Sequence, residues 1–314
     1  MDLPDELKFI VNARKPQKRT SVRLDHRICV ITGATSGVGL AAARRIAKGG
    51  ADLILVCRNP DKASVVKEEL ERENEVDVDL VFADFADLDQ VRQAAALISE
   101  KTARLDVLIN NAGLHSTRRE LTADGIELVF YVNHLASFLL TRLLLKHILA
   151  SSPARILYIN SQGHRFGGLD LTDLNWEKRR YWGLKSYGAS KVAQLLTIWE
   201  FAEQLAGSGV TINAMHPGSV ASNIGMNNGF LYRFYKRYIL SPFLKSTELS
   251  GEAIYYLIAS PEMATVSGKF FNQTIEETPA SFALDREVGK QVWEISEELT
   301  GLSNQRRERW ISET

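Results

Sequence analysis

Short apolar runs of strand length alternate along the chain with longer segments of helical periodicity. The strand-like runs lie at 28–32, 53–57, 78–82, 105–109, 155–159 and 210–215. Helical periodicity covers 38–48, 60–74, 87–102, 122–149 and 186–206. Strands that alternate with helices are typical of βαβ units and of a parallel sheet covered on both faces. The pattern therefore predicts one α/β domain, a doubly wound parallel sheet of about seven strands, with its site beyond the carboxyl ends of the strands.

This alternation begins near residue 25 and divides the chain into three predicted regions. Residues 1–24 form an extension that is polar and basic in its second half, residues 25–300 form the folded domain, and residues 301–314 form a tail. The length of 314 residues would allow two domains, but single α/β domains often exceed 200 residues. The regular alternation favours a single domain.

Composition and charge exclude several classes of protein. The chain is 45% hydrophobic and 24% charged, and its 38 Lys and Arg residues balance 38 Asp and Glu residues. A disordered chain would be poorer in apolar residues, and a dedicated nucleic-acid-binding protein would carry a basic surplus. We therefore expect a globular protein with no nucleic-acid partner.

The cysteines and the apolar stretches indicate the compartment. Cys29 and Cys57 each lie inside an apolar run, which predicts buried thiols and a reducing environment. The amino-terminal residues show no secretory-signal pattern, and the apolar stretch 135–150 is interrupted by Arg142, Lys146 and His147. We expect a cytoplasmic protein without a membrane span. His115, His134, His147 and His164 show no metal-ligand spacing, so no metal is predicted.

A glycine cluster, Thr32-Gly33-Ala34-Thr35-Ser36-Gly37-Val38-Gly39, directly follows the first strand-like run and leads into a helical segment. Glycines permit a tight turn and let backbone N–H groups approach a phosphate at the positive end of a helix. A simple turn is the alternative. The position between a strand and a helix favours a phosphate-binding loop, with Gly33, Thr35, Ser36, Gly37, Val38 and Gly39 as its residues.

The second strand-like run ends at Cys57 and is followed by Arg58, 19 residues beyond Gly39. An acidic residue near this position would hold the 2′-hydroxyl of NAD, and none is present. Arg58 instead favours the 2′-phosphate of NADP(H), although it could also be an ordinary solvated arginine.

Tyr187 and Lys191 lie four residues apart in a helical segment and therefore share one helix face. A tyrosine is a poor acid–base group at neutral pH unless a nearby cation stabilises its phenolate. Many such pairs are purely structural, so this spacing alone does not establish a catalytic role.

In combination, these motifs resemble the short-chain dehydrogenase/reductase family over about residues 25–275. The resemblance rests on the glycine pattern at 32–39, Asn110-Asn111-Ala112-Gly113 after the fourth strand, Ser161 after the fifth, and Tyr187 with Lys191. It implies a Rossmann fold in which Tyr187 exchanges a proton with the substrate oxygen and Ser161 hydrogen-bonds that oxygen. It further implies that Lys191 binds the ribose and lowers the tyrosine pKa, and that Asn133 holds a relay water.

The resemblance also implies how the cofactor is bound. Asp84 and Phe85 match the adenine contacts, and Asn111, Ala112 and Gly113 match the stretch beside the ribose. The nicotinamide carboxamide would lie along the segment Pro217-Gly218-Ser219-Val220 and near Ser222.

An insert between Ser161 and Tyr187, which stand 26 positions apart, resembles the retinol dehydrogenase-like branch of the family. That branch includes the WW-domain oxidoreductases and the light-dependent protochlorophyllide reductases. Light-driven chemistry is disfavoured here because the catalytic region contains no cysteine.

Residues 230–245 combine six aromatic and four basic residues without an acid. In the family this stretch belongs to a substrate lid, here about 222–250, whose apolar walls favour a lipophilic substrate. A surface that rests on anionic lipid and an ordinary packed helix are the alternatives.

We therefore expect an NADP(H)-dependent oxidoreductase that acts on a lipophilic aldehyde, ketone or alcohol. The rival hypothesis is a cofactor-binding interaction protein with vestigial catalysis, which predicts damage at Asn133, Ser161, Tyr187 or Lys191. All four are intact. The long helices at 122–149 and 186–206 are where the family commonly pairs, so a homodimer is compatible with the resemblance.

Overall fold

A computed structural model describes residue 12, residues 15–218 and residues 247–303 of the chain. Its centre is one eight-stranded sheet in the order β3-β2-β1-β4-β5-β6-β7-β8. The strands are β1 Ile28–Thr32, β2 Asp52–Cys57, β3 Val78–Phe82, β4 Val107–Asn110, β5 Ala154–Ile159, β6 Val210–His216, β7 Lys269–Asn272 and β8 Ile275–Glu276. The first seven are parallel, which confirms the predicted sheet, and β8 pairs antiparallel with β7.

Helices cover both faces of this sheet. They are α1 Gly37–Lys48, α2 Pro60–Glu73, α3 Leu88–Lys101, α4 Leu128–Ala150, α5 Gly183–Gln204, α6 Thr247–Ala259 and α7 Arg286–Leu299. One core holds the apolar residues of α1, α2 and α6, and the other holds those of α3, α4, α5 and α7. Successive side chains of a strand point to opposite faces, so Val30 packs in one core while Cys29 and Ile31 pack in the other. This explains why the central strands are uninterrupted apolar runs.

The described part of the predicted extension packs against the domain. Lys18 N donates to Thr274 Oγ1 at 2.9 Å, and the Tyr255 hydroxyl donates to the Val22 carbonyl at 2.7 Å. Residues 15–24 therefore run beside α6. Of the predicted lid, residues 247–250 form the first turn of α6, and 222–246 lie outside the described residues.

Helix α4 begins later than the predicted segment 122–149. Residues 122–127 instead form a turn around Gly125, whose φ is +74°, and Leu121 bridges Glu127 across it. The Glu127 carboxylate then accepts from Phe130 N at 2.8 Å and starts the helix. By length and composition Leu128–Ala150 could cross a membrane, but 78% of its apolar window is buried inside the protein. The fold thus uses it as a core helix.

Helix α7 covers the outer face of α4 and α5. The Trp293 indole packs edge-on against Phe138 of α4 and Phe201 of α5, with ring centroids 5.0 and 4.7 Å apart. Arg142 pairs with Glu297 beside this aromatic cluster. Helix α7 therefore covers part of the two helices along which the family resemblance places subunit pairing.

Substituting Trp293→Ala should test how strongly this aromatic cluster holds α7. Trp293 is only 6% exposed, so the substitution should lower the free energy of unfolding by about 3–5 kcal/mol. Urea denaturation measures the loss. Phe282→Ala, at a 45% exposed position, is the control and should cost much less. Equal losses in the two variants would contradict the packing described here.

Candidate active site

The predicted site residues meet at the carboxyl edge of the sheet, as expected. Gly33 follows β1, Asn111 follows β4, Ser161 follows β5 and Pro217 follows β6. Because these four strands are neighbours in the sheet, their carboxyl ends define one continuous cleft. Val220 and Ser222, which the sequence also places here, lie outside the described residues.

The glycine positions of the loop are unfavourable for a side chain because of their backbone conformation or their close packing. Gly33 and Gly37 have φ values of +70° and +58°, in the left-handed region that favours glycine. A Cβ at Gly39 would overlap the Gly33 carbonyl oxygen and Asn111 Nδ2. The backbone at the three glycines of this loop is therefore bare, as the approach of a phosphate requires.

The amino terminus of α1 fits an anionic ligand. Ser36 is the N-cap residue, and its side chain makes no capping hydrogen bond. The first turn of α1 carries no acid, while Arg45 and Lys48 lie in the last turn. Backbone amides at a helix amino terminus that receive no side-chain cap form a site for an anion. The residues present thus fit the pyrophosphate of a dinucleotide.

Asn111 holds the end of β4 against the glycine loop through side-chain hydrogen bonds. Its Nδ2 donates to the carbonyls of Thr32 at 2.9 Å and Gly33 at 3.0 Å. Thr32 Oγ1 in turn accepts from the backbone N–H groups of Asn111 and Ala112, both at 2.9 Å. Asn111 therefore ties the ends of β1 and β4 together. Gly113 also allows a close approach, since a Cβ there would lie 3.1 Å from Asn133 Oδ1.

The structure brings Arg58 and Asp84 together at the edge of the cleft. Arg58 Nη1 lies 3.7 Å from Asp84 Oδ2, and the Arg58 side chain is 68% exposed. A pair this loose and exposed leaves the guanidinium free to bind another anion. Phe85, in contrast, is buried in the core, so only its backbone can face a ligand.

Lys191 is the buried charged group of the site. Its Nζ donates to the Ile159 carbonyl and to Gln194 Oε1, both at 3.0 Å, and lies 5.7 Å from the centre of the Tyr187 ring. Complete burial lowers the pKa of Lys191 to about 7. The predicted pair on one helix face is therefore confirmed in its geometry.

Gly163, which the sequence reasoning missed, places Ser161 beside Tyr187. Ser161 Oγ accepts from Gly163 N at 3.0 Å. A Cβ on Gly163 would lie 2.7 Å from Tyr187 Cε1 and 3.2 Å from Ser161 Oγ. Only a glycine lets the tyrosine ring approach the serine hydroxyl this closely. A glycine two positions after the candidate serine was the available signal.

His164 holds the same loop from behind. Its Nδ1 lies 2.7 Å from the Ser161 carbonyl oxygen, and its Nε2 accepts from Ala280 N at 3.2 Å. Burial lowers the pKa of His164 to about 4, so the ring is neutral and Nδ1 carries the donating proton. These contacts give His164 a structural role in holding the serine loop.

Asn133 lies in a π-helical segment of α4, Tyr131–Leu135. Its Nδ2 donates to the Leu114 carbonyl and to Ser190 Oγ, both at 3.0 Å, and its Oδ1 accepts from Leu114 N. Its own carbonyl accepts from Gln194 Nε2 at 2.6 Å. Asn133 therefore connects the loop after β4 to α5.

Two further features complete the cleft. The His115 ring meets Tyr187 edge-on with centroids 5.8 Å apart. Gly218, with φ of +91°, faces the Gln273 amide. Among the described residues no group of three His, Cys, Asp or Glu side chains could hold a metal ion.

A parallel sheet with a glycine loop at a helix amino terminus, and with Ser161, Tyr187 and Lys191 at the same edge, defines a dinucleotide-binding protein of the Rossmann class. The family model for short chain dehydrogenase matches residues 27–229. The chain belongs to the short-chain dehydrogenase family of oxidoreductases, in its retinol dehydrogenase-like branch.

Individual relatives and structures agree with this assignment. Human retinol dehydrogenase 13 is 37% identical over 299 residues, covering 94% of this chain and 89% of that protein. Human WW domain-containing oxidoreductase is 34% identical over 281 residues, covering 87% of this chain and 68% of that protein. A short chain dehydrogenase from Burkholderia cenocepacia, solved in complex with NADP, has a TM-score of 0.65 and 24% identity over 81% of this chain and 98% of its own. This last likeness concerns the fold.

Gly163→Ala should displace the Tyr187 ring and reduce turnover by roughly 100-fold, since a misplacement of about 1 Å can cost this much. Steady-state kinetics with a substrate that the wild type accepts will measure the loss. Gly289→Ala on α7, where a Cβ would meet Glu200 Oε1 only at 3.3 Å, is the matched control. Wild-type turnover in the Gly163 variant would show that this contact does not position the tyrosine.

Proposed function

We propose that the protein is an NADP(H)-dependent oxidoreductase that interconverts a lipophilic aldehyde or ketone and the corresponding alcohol. The observation that carries this proposal is the contact of Ser161, Gly163 and Tyr187 above the buried Lys191 ammonium. When bound, the nicotinamide cofactor supplies or accepts the hydride. The residues that would hold its pyrophosphate are Gly33, Thr35, Ser36, Gly37, Val38 and Gly39.

The chain's own residues then manage the substrate oxygen and its proton. Ser161 hydrogen-bonds the oxygen, and Tyr187 donates a proton to it during reduction or removes one during oxidation. The Lys191 ammonium has three donors, of which Ile159 and Gln194 use two. Its positive charge stabilises the tyrosinate and so lowers the barrier to proton transfer.

The relatives support the substrate class. Retinol, in the name of the human relative that is 37% identical, is a lipophilic alcohol. The aromatic segment 230–245 would supply an apolar lid, although it lies outside the described residues. The same segment could instead rest on a lipid surface.

The alternative is a cofactor-binding interaction protein with vestigial catalysis. Asn133, Ser161, Tyr187 and Lys191 are all present, and each of them has an ordered place in the cleft. A protein released from selection for catalysis has no need of this arrangement. The enzymatic proposal therefore fits the site better.

A cytoplasmic location and a homodimer are also proposals. Burial raises the pKa of the Cys57 thiol to about 11 and that of Cys29 further, so both thiols are unreactive and suit a reducing compartment. Because α7 packs on α4 and α5, a homodimer that pairs along these helices would have to accommodate α7.

The proposed reaction predicts the behaviour of Tyr187→Phe. Loss of the hydroxyl removes the proton donor, so turnover should fall by about 10²–10⁴-fold, whereas NADPH affinity should stay within a few-fold. A panel of lipophilic aldehydes, ketones and alcohols with both nicotinamides measures turnover, and fluorescence titration measures binding. A variant that kept about one tenth of the wild-type rate would refute the role of Tyr187.

Cofactor preference depends on Arg58. We expect NADPH to be preferred over NADH by at least about tenfold, because a hydrogen bond to a charged group contributes about 1.5–3 kcal/mol. Arg58→Ala should remove this preference by weakening NADPH binding alone. Arg72→Ala, an exposed arginine on α2, is the control and should retain it. Comparable wild-type efficiency with NADH and NADPH would contradict the proposal.

A further inference from the structure

We propose that Gln194 is a positioning residue that joins Lys191, Asn133 and Ser161 into one hydrogen-bonded unit and fixes the charge of Lys191. This inference rests on the proposed function, since the unit matters only if Lys191 assists Tyr187. Gln194 is buried on α5, three residues after Lys191. It belongs to no motif on which the sequence reasoning relied.

The carbonyl oxygen of the Gln194 side chain serves two donors. Oε1 accepts from Lys191 Nζ at 3.0 Å and from Asn160 Nδ2 at 3.1 Å. Asn160 Oδ1 in turn accepts from Ser161 N at 2.8 Å. Gln194 therefore contacts Lys191 directly and reaches the candidate serine through Asn160.

The amide nitrogen of Gln194 serves the remaining member of the unit. Nε2 donates to the Asn133 carbonyl at 2.6 Å. The orientation of the amide is unambiguous, because Lys191 can only donate and a carbonyl oxygen can only accept. A flipped amide would place its NH₂ group against the Lys191 ammonium and its oxygen against the Asn133 carbonyl oxygen. The two ends of one side chain thus hold α4 and Lys191 at a set separation.

The contact bears on the charge of Lys191 because a hydrogen bond accepted from the ammonium favours its charged form. Complete burial opposes that form and lowers the pKa of Lys191 to about 7. The described titratable groups that face it are Tyr187 on its own helix and His134 on α4. Burial lowers the pKa of His134 to about 3, so this ring is neutral. Near neutral pH, Gln194 therefore helps to decide whether the lysine is a cation.

Two substitutions of similar size should move the titration of Lys191 in opposite directions. Gln194→Met removes the acceptor, so the pKa of Lys191 should fall. Gln194→Glu replaces a neutral acceptor with a carboxylate, and an opposite charge at this distance should raise it. Gln204→Glu, an exposed position at the end of the same helix, introduces the same charge and should leave Lys191 unchanged.

The measurement is an NMR titration of the full-length protein labelled with ¹³C-lysine, without cofactor. The Lys191 ε-carbon signal is assigned by its loss in Lys191→Arg, and thermal melts check that each variant is folded. If the Met variant does not fold, the Glu variant still tests whether the pKa of Lys191 rises as expected. Opposite shifts support the proposal, because looser packing alone would move both variants in the same direction. Equal titrations in wild type and both variants, or shifts of the same sign, would overturn it.

Kinetics distinguish this inference from the proposed function. With an alcohol substrate, Gln194→Met should shift the rising limb of the pH–rate profile to higher pH. The rate at pH 7 should then fall by about tenfold for each unit by which the tyrosine pKa rises. A uniform loss at every pH would indicate a merely structural role and overturn the inference. Absence of wild-type turnover across the whole panel would instead refute the proposed function, whatever the NMR titrations show.

Discussion

The burial of one ammonium group, Lys191 Nζ, is the constraint on which the rest of the site depends. A buried cation must have acceptors, and here they are the last carbonyl of β5, at Ile159, and the Gln194 amide. Helix α5 must therefore lie directly against the end of β5. Gly188 lets α5 also approach the turn that follows β5, because a Cβ there would meet the carbonyl oxygens of Gly163 and Gly167 at 2.9 and 2.6 Å. The buried lysine and this glycine thus belong to the same close packing of α5 against the end of β5 and the turn after it.

The same principle of close backbone approach shapes the cofactor side of the cleft. Gly33 and Gly39 leave no room for side chains, and Asn111 fills the remaining space with an amide that satisfies two loop carbonyls. Both halves of the site therefore pair glycines with one side-chain amide, the half-buried Asn111 at the loop and the buried Gln194 at the lysine. Rigid polar contacts of this kind hold a site in place without help from the substrate.

The candidate catalytic residues were recognised only from the combination of several motifs. Local pattern was sufficient for six of the eight strands, because central strands buried on both faces are continuous apolar runs. It failed at the start of α4, where Gly125 turns the chain although the periodicity continues. It also located neither β7, which is four residues long, nor β8, which is only two residues long. Gln194 and Gly163 were not found because their roles come from long-range contacts, with Asn133 and Tyr187 respectively. The position of a residue on a helix face does not reveal which group of another element it will contact in the folded protein.

A buried ion pair joins Glu277, in the segment that directly follows β8, to Arg165. Burial alone would raise the pKa of Glu277, but donors from Gln162, Arg165, Asn12 and Asn272 hold it below its ordinary value. A buried ion pair adds little net stability, because desolvation offsets most of the attraction. The pair of Glu277 with Arg165 therefore serves position more than stability. Gln162 directly follows Ser161 and donates to the Glu277 carboxylate at 2.6 Å, so the segment after β8 helps to hold the serine loop.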